Sequence, residues 1–410
     1  MTYILILGDG MADNPVESLG GKTPVEYAKT PVMDGLAERG LLGSTRNCPD
    51  KFPPGSDTAI MSIFGCDPNI YYTGRSPLEA ASQGVSLKDG DLAFRCNMVS
   101  LSEGDMPFEQ RTIVSHSGGS IDGESSMQLV RDLFADPEFS ALAEEAGVRV
   151  YPSCSYRHIA VQSHGDANGL VFSAPHEHLG SAAAEWLPHG SANAEVLKNL
   201  MAASFKYLDS HPINAARRAQ GKLAANCIWF WAEGTAVTLP SFPEAYHKKG
   251  AVISAVPLCH GIGVLTGVTP ITVEGATGEL DTNYAGKAEA ALKSLKQDGF
   301  DFVCVHVEAP DECTHNGDLP GKLQAIENLD SLVIAPIVRG MAGEDYRMLI
   351  LSDHKTLTST RGHDADPVPF ILYDSREIAP GSGLAYSEAN GLKGPMVREG
   401  VALLGMLFGE

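Results

Sequence analysis

The stretch Arg347-Met-Leu-Ile-Leu-Ser-Asp-His354 constrains this chain more than any other. Met348 to Leu351 is an apolar run short enough for a strand buried on both faces, and it stops at Ser352, Asp353 and His354. Open α/β sheets gather their ligands at the carboxyl ends of strands. A carboxylate and an imidazole side by side at such an end are candidate metal ligands. Read alone, the same pair is a helix cap followed by a surface histidine. Two further runs repeat the pattern. Tyr3 to Leu7 leads into Gly8-Asp9-Gly10, and Phe302 to Val307 leads into Glu308-Ala-Pro-Asp311.

A length of 410 residues exceeds what one core usually supports and implies two domains. The texture divides the chain accordingly. Residues 1–90 and 265–410 read as one discontinuous α/β domain, a doubly wound sheet with helices on both faces that carries the metal chemistry. Residues 91–264 read as an inserted, smaller α/β or α+β domain that binds substrate and acts as a lid. Helices are expected over 182–208, 281–297, 322–338 and 396–407. The net charge of −21 argues against nucleic acid and anionic membrane as partners, but leaves room for a small anionic substrate met by local cations. Eight cysteines without a CxxC pair read as reduced thiols of a cytoplasmic protein. No secretory leader is visible, and no apolar run approaches the ~20 residues of a membrane span. The composition leaves open whether the chain is a monomer or a homo-oligomer.

Further candidates lie at turns. In Pro53-Pro54-Gly55-Ser56-Asp57, Ser56 enters an apolar helical pattern, where a nucleophile and a helix cap occupy the same place. Asp311 and His315 are four apart, so one helical turn points both the same way. His363 follows in Arg361-Gly362-His363-Asp364. Asp9, Ser56, Asp311, His315, Asp353, His354 and His363 are too many for one ion and suit two. Their oxygen and imidazole donors fit two divalent ions, Mn²⁺ foremost, with Zn²⁺ or Mg²⁺ as alternatives. A two-metal site can clamp both oxygens of a phosphoryl transfer and activate a serine. Between residues 91 and 264, Arg95, His116, Arg157, His158 and Lys222 are candidates for binding the anionic substrate.

The order Asp9, Gly55-Ser56-Asp57, Asp311-x-x-x-His315, Asp353-His354, His363 resembles the alkaline phosphatase superfamily. More closely, it resembles the cofactor-independent (2,3-bisphosphoglycerate-independent) phosphoglycerate mutases of the shorter, archaeal-type branch. Gly8-Asp-Gly-Met-Ala-Asp, Thr73-Gly-Arg-x-Pro-Leu-Glu-Ala-Ala, Gly275-Ala-Thr-Gly and Asp281-Thr-Asn extend the likeness along nearly the whole chain. The resemblance implies one metal held by Asp9, Ser56, Asp353 and His354, and another by Asp311, His315 and His363. It implies that Ser56 becomes a phosphoserine while 3-phosphoglycerate and 2-phosphoglycerate interconvert in glycolysis or gluconeogenesis. One departure stands out: Trp229 and Trp231 occupy a strand where the family pattern carries an arginine. A homoserine kinase-like phosphotransferase or a phosphatase would use the same serine site. A kinase would have to do so without a GxxxxGK[ST] loop, which the sequence lacks. A non-catalytic metal-binding protein is the third class, disfavoured because every ligand type the site needs is present.

Overall fold

The computed structural model describes residues 1–153 and 155–409, so Cys154 and its expected thiol role lie outside the described residues. Two compact units form: Met1–Tyr72 with Thr238–Glu410, and Thr73–Val237.

The first unit is built on an eight-stranded sheet. Its order is Met396–Val397, Leu41–Thr45, Val368–Asp374, Tyr346–Leu351, Thr2–Gly8, Phe302–Val307, Gly250–Ile253, Thr269–Ile271. Val368–Asp374 runs against its neighbours, and the other pairings are parallel. Ile4 to Leu7 are fully buried. Each such side chain contributes roughly 1.5–3 kcal/mol, which is why these strands show no polar alternation. Helices Pro31–Arg39, Tyr284–Lys296 and Leu319–Asn328 pack one face into a common core with Ile4, Ile6, Val303, Val305, Met348 and Ile350.

Register decides where the chemistry lies. Gly8 pairs with Val307 on one side, and Leu7 with Leu351 on the other. Three parallel strands therefore end level, and the residues that follow them, Asp9, Glu308 to Asp311 and Ser352 to His354, emerge at one sheet edge.

The second unit is α+β. Its central strand, Leu92–Leu101, pairs antiparallel with Ile113–Ser115, Arg157–Gln162 and Cys227–Thr235, and Val148–Tyr151 completes the five-stranded sheet. Helices Gly123–Ala135, Pro137–Glu145 and Ala192–Leu208 share its core.

Several expectations shift. The insert spans 73–237 rather than 91–264, because helix Ser76–Ser82 packs on the second unit's sheet while Gly250–Ile253 pairs into the first. The 182–208 helix shortens to Ala192–Leu208, since Pro188 and Gly190 precede a Ser191 cap that accepts from the Ala194 N–H. The 281–297 helix begins at Tyr284 behind its Asn283 cap. The 322–338 helix is three segments, Leu319–Asn328, a π-helical Leu329–Ile334 and Ala335–Gly340. Met396–Val397 is a strand rather than helix, and α-helix begins only at Leu403, after a 3₁₀ turn at Gly400–Ala402. No helix among the described residues is long and apolar enough to cross a membrane.

Candidate active site

Asp9 follows the first strand, and Gly10 adopts φ +58°. A Cβ there would stand 2.3 Å from Thr356 Oγ1 and 2.5 Å from Asp311 Oδ1, so only glycine lets this backbone pass. The Gly10 N–H donates to Asp353 Oδ1 at 3.1 Å, and the His354 N–H donates to the same oxygen at 2.9 Å. Asp353 Oδ2 is buried without a hydrogen-bond partner. Gly55 caps helix Ser56–Ile63, so Ser56 is its first residue and its hydroxyl is not spent on capping. Ser56 Oγ instead lies 3.1 Å from His354 Nε2 and 3.5 Å from Asp9 Oδ1.

Asp311 and His315 share the short helix Ala309–His315. His315 Nε2 is 3.1 Å from Asp311 Oδ2 and 2.9 Å from His363 Nε2. Thus Asp311, His315 and His363 form one triad and Asp9, Asp353 and His354 another, the ligand atoms within each all lying within 4.8 Å of one another. The triads adjoin, with the His354 and His363 rings 4.2 Å apart.

The three imidazoles are oriented alike. Nδ1 of His315 faces the Arg361 carbonyl at 2.8 Å, that of His354 the Lys355 carbonyl at 3.2 Å, and that of His363 the Pro54 carbonyl at 3.2 Å. A carbonyl only accepts, so each Nδ1 carries a proton and each Nε2 is left facing inward, free to offer its lone pair to an ion once deprotonated. Arg361 reaches its position in the left-handed region, at φ +58°.

The charges demand a cation. Burial, then Asp353, Asp311 and Glu308, push the Asp9 carboxyl well above its usual range. Burial would raise Asp311 too, but its hydrogen bonds from His315 and His363 outweigh it and hold that carboxyl well below the ordinary value. The Asp311 hydrogen bond lifts His315 to about 9. Burial depresses His354, with Asp353 opposing. Crowded carboxylates, an orphaned buried oxygen and two imidazole Nε2 atoms 2.9 Å apart fit divalent ions.

Sequence reasoning missed the supporting residues. Thr356 Oγ1 donates to Asp311 Oδ1, and the buried Lys322 ammonium bonds Asp13 Oδ2 and the Thr356 carbonyl. His306 Nε2 lies 2.9 Å from Asp9 Oδ2. The available signal was a lone polar residue inside the apolar strand Phe302–Val307.

In the second unit, Arg157 stacks over Trp231 at 5.7 Å and Tyr156 at 5.4 Å, and its buried Nε has no partner. His116 and His176 contact each other edge-on at 6.0 Å, His176 reaching Trp231 at 5.2 Å. Burial, then Arg157, lowers the His116 pKa. The Arg95 guanidinium also lies over Trp231, at 4.6 Å, so this ring faces two arginines. Three expected anion ligands fare differently. Arg95 is buried in a two-bond ion pair with Glu79, which it holds near a pKa of about 2 against the raising effect of burial. Lys222 sits exposed in the connection after helix Pro212–Ala219. His158 is fully buried, its Nε2 2.9 Å from Ser126 Oγ and its Nδ1 accepting from the Ser153 N–H at 3.0 Å. It is a core residue, not a substrate contact.

Burial lowers His158 to about 4. Its folded pKa lies below the unfolded value of ~6.5, so the unfolded chain binds the extra proton. Stability from this group is complete above pH ~6.5 and is lost as pH falls towards 4, by on the order of 3 kcal/mol. Denaturant unfolding at pH 7.5 and 5 should show a shallower pH dependence in His158→Gln than in the unaltered protein.

A family model described as 2,3-bisphosphoglycerate-independent phosphoglycerate mutase matches residues 37–214. A protein of that name from Methanosarcina acetivorans is 43% identical over 96% of this chain and 95% of its own length. A "probable" one from Geobacter sulfurreducens is 43% identical over 100% of both chains. A solved structure of a Pyrococcus horikoshii protein superposes with TM-score 0.80 at 29% identity, covering 100% of this chain and 98% of its own. The cofactor-independent phosphoglycerate mutase of Thermoplasma acidophilum, at 24% identity and TM-score 0.66 over 100% and 99% of the two chains, shows the same fold. With identity this high sustained along the chain, the protein belongs to the 2,3-bisphosphoglycerate-independent phosphoglycerate mutase family.

Proposed function

We propose that this chain interconverts 3-phosphoglycerate and 2-phosphoglycerate through a phosphoserine at Ser56. One observation carries the reading: three imidazoles and three carboxylates gather in two adjoining triads, one of which meets a serine hydroxyl at a helix N-terminus. Asp9, Ser56, Asp353 and His354 would hold one divalent ion, and Asp311, His315 and His363 the other, with Mn²⁺ the best match to four oxygen and three imidazole donors. When bound, such ions lower the pKa of a coordinated hydroxyl and neutralise phosphoryl charge.

The chain's own groups do the rest. Ser56 Oγ attacks phosphorus, the bond from phosphorus to the substrate's O3 breaks, and O3 leaves with a proton. The proton that the Ser56 hydroxyl gives up to solvent is balanced by the one O3 takes from it, so the transfer is proton-neutral, while His354 Nε2 and Asp9 Oδ1 flank the hydroxyl and set its position. The phosphoryl group then returns from Ser56 to O2 of the same glycerate. Glycerate must be retained between the steps, and water kept from the phosphoserine. We propose that the second unit serves this retention, with Arg157, His116 and His176 recognising the substrate's anionic groups, and Arg95 acting through Trp231 and Glu79 rather than on substrate. Lys222 remains a candidate for longer-range attraction. The described cysteines are free and buried, which supports a reducing, cytoplasmic setting.

Arg157→Ala should raise KM about 10–100-fold, the worth of one charged hydrogen bond, and increase release of inorganic phosphate. Steady-state assays with a phosphate-release channel check both. The deciding experiment is a coupled assay of purified, Mn²⁺-loaded protein with 3-phosphoglycerate, against ATP plus homoserine. Formation of 2-phosphoglycerate supports the mutase, and phosphohomoserine in its place would transfer the assignment to a kinase.

A further inference from the structure

His306 lies in the strand Phe302–Val307 and is fully buried. Its Nδ1 is 2.9 Å from Ser254 Oγ and its Nε2 is 2.9 Å from Asp9 Oδ2. As a metal ligand Asp9 is ionised and its Oδ2 only accepts, so Nε2 carries the proton, and the Ser254 hydroxyl, which also accepts the Val256 N–H at 2.9 Å, donates to Nδ1. Nδ1 is therefore the acceptor, and the ring's one N–H sits on Nε2 and donates to Asp9. This tautomer is opposite to that of His315, His354 and His363. The Lys287 ammonium donates to the His306 carbonyl at 3.0 Å and anchors this strand end. With Oδ2 committed, Asp9 turns only Oδ1 towards Ser56 Oγ and His354 Nε2, each at 3.5 Å.

We propose that His306, with its tautomer set by Ser254, is a positioning residue that makes Asp9 a one-oxygen ligand and aims that oxygen beside the nucleophile. The inference rests on the reading of Asp9 as a metal ligand. An Nε2 that carries a proton makes His306 a donor to the carboxylate and not itself a ligand. Hydrogen-bond partners of metal ligands are typically worth 10–100-fold in affinity.

The test is Mn²⁺ titration of the full-length protein followed by electron paramagnetic resonance, together with steady-state kinetics. In His306→Phe, which fills the space without the donor, one of two Mn²⁺ equilibria should weaken about 10–100-fold while the other stays within about threefold. At saturating Mn²⁺, kcat should fall while KM for 3-phosphoglycerate stays within about twofold, because the substrate's own contacts are untouched. His306→Gln, which restores an N–H near the same point, should recover most of the affinity. Should His306→Phe not fold, Ser254→Ala keeps the imidazole but frees its tautomer, and should weaken the same equilibrium. Two ions bound as tightly in folded His306→Phe, or in Ser254→Ala where that variant replaces it, as in the unaltered protein would overturn the positioning role alone. An unaltered protein that binds no divalent ion would overturn the ligand reading of Asp9 and this inference with it.

Discussion

Replacing Ser56 with alanine should lower turnover of 3-phosphoglycerate by on the order of 10⁴-fold or more, because a covalent route loses its only nucleophile. Fold and most of the metal affinity should survive. Gly55, not Ser56, caps the helix, and the Ser56 hydroxyl makes no bond to backbone, so its loss leaves no helix N–H stranded. Stability and Mn²⁺ binding measured beside the kinetics separate this outcome from simple unfolding. Activity near that of the unaltered protein would reduce Ser56 to an ordinary first-turn residue.

The second large effect belongs to Asp353. Asp353→Asn keeps an oxygen for the Gly10 and His354 N–H groups and puts an amide NH₂ where the unpartnered Oδ2 stands. Metal affinity and turnover should fall at least ~100-fold, since an amide nitrogen is no ligand and one negative charge is lost. Without metal the same change should stabilise the protein, by on the order of 1 kcal/mol, because it removes a carboxylate crowding buried Asp9. Melting curves in chelator and in excess Mn²⁺ should therefore rank the two proteins in opposite order. The same order under both conditions would mean that Oδ2 is not a ligand.

The strand-end half of the site was legible because burial on both faces leaves an unmistakable mark. Phe302–Val307 and Met348–Leu351 read as strands from their apolar runs alone, and parallel register brings their ends together. Turn residues such as Ser56 and His363 had no such mark and entered through motif spacing. His306 escaped because one polar residue in an apolar strand looks like noise until its partners are seen. The error at His158 was avoidable: neighbours on a strand point to opposite faces, so Arg157 and His158 could not both meet one ligand. Arg95, two residues from Asn97 and paired with Trp231, shares the Arg157 face, but Glu79, sixteen residues earlier in sequence, neutralises it. Nothing in local pattern foretells such a long-range pair. Met396–Val397 was misread for a related reason. Its apolar composition suits helix, but the edge of Leu41–Thr45 offers backbone partners that periodicity does not register.

The most direct test of the serine route is rapid quenching of the Mn²⁺-loaded protein during turnover of 3-phosphoglycerate, followed by peptide mass spectrometry. The account predicts a phosphoryl group on Ser56 that forms within the first turnover and disappears when substrate is exhausted. Full-rate formation of 2-phosphoglycerate with Ser56 unmodified throughout, or with the phosphoryl group on another residue, would contradict it.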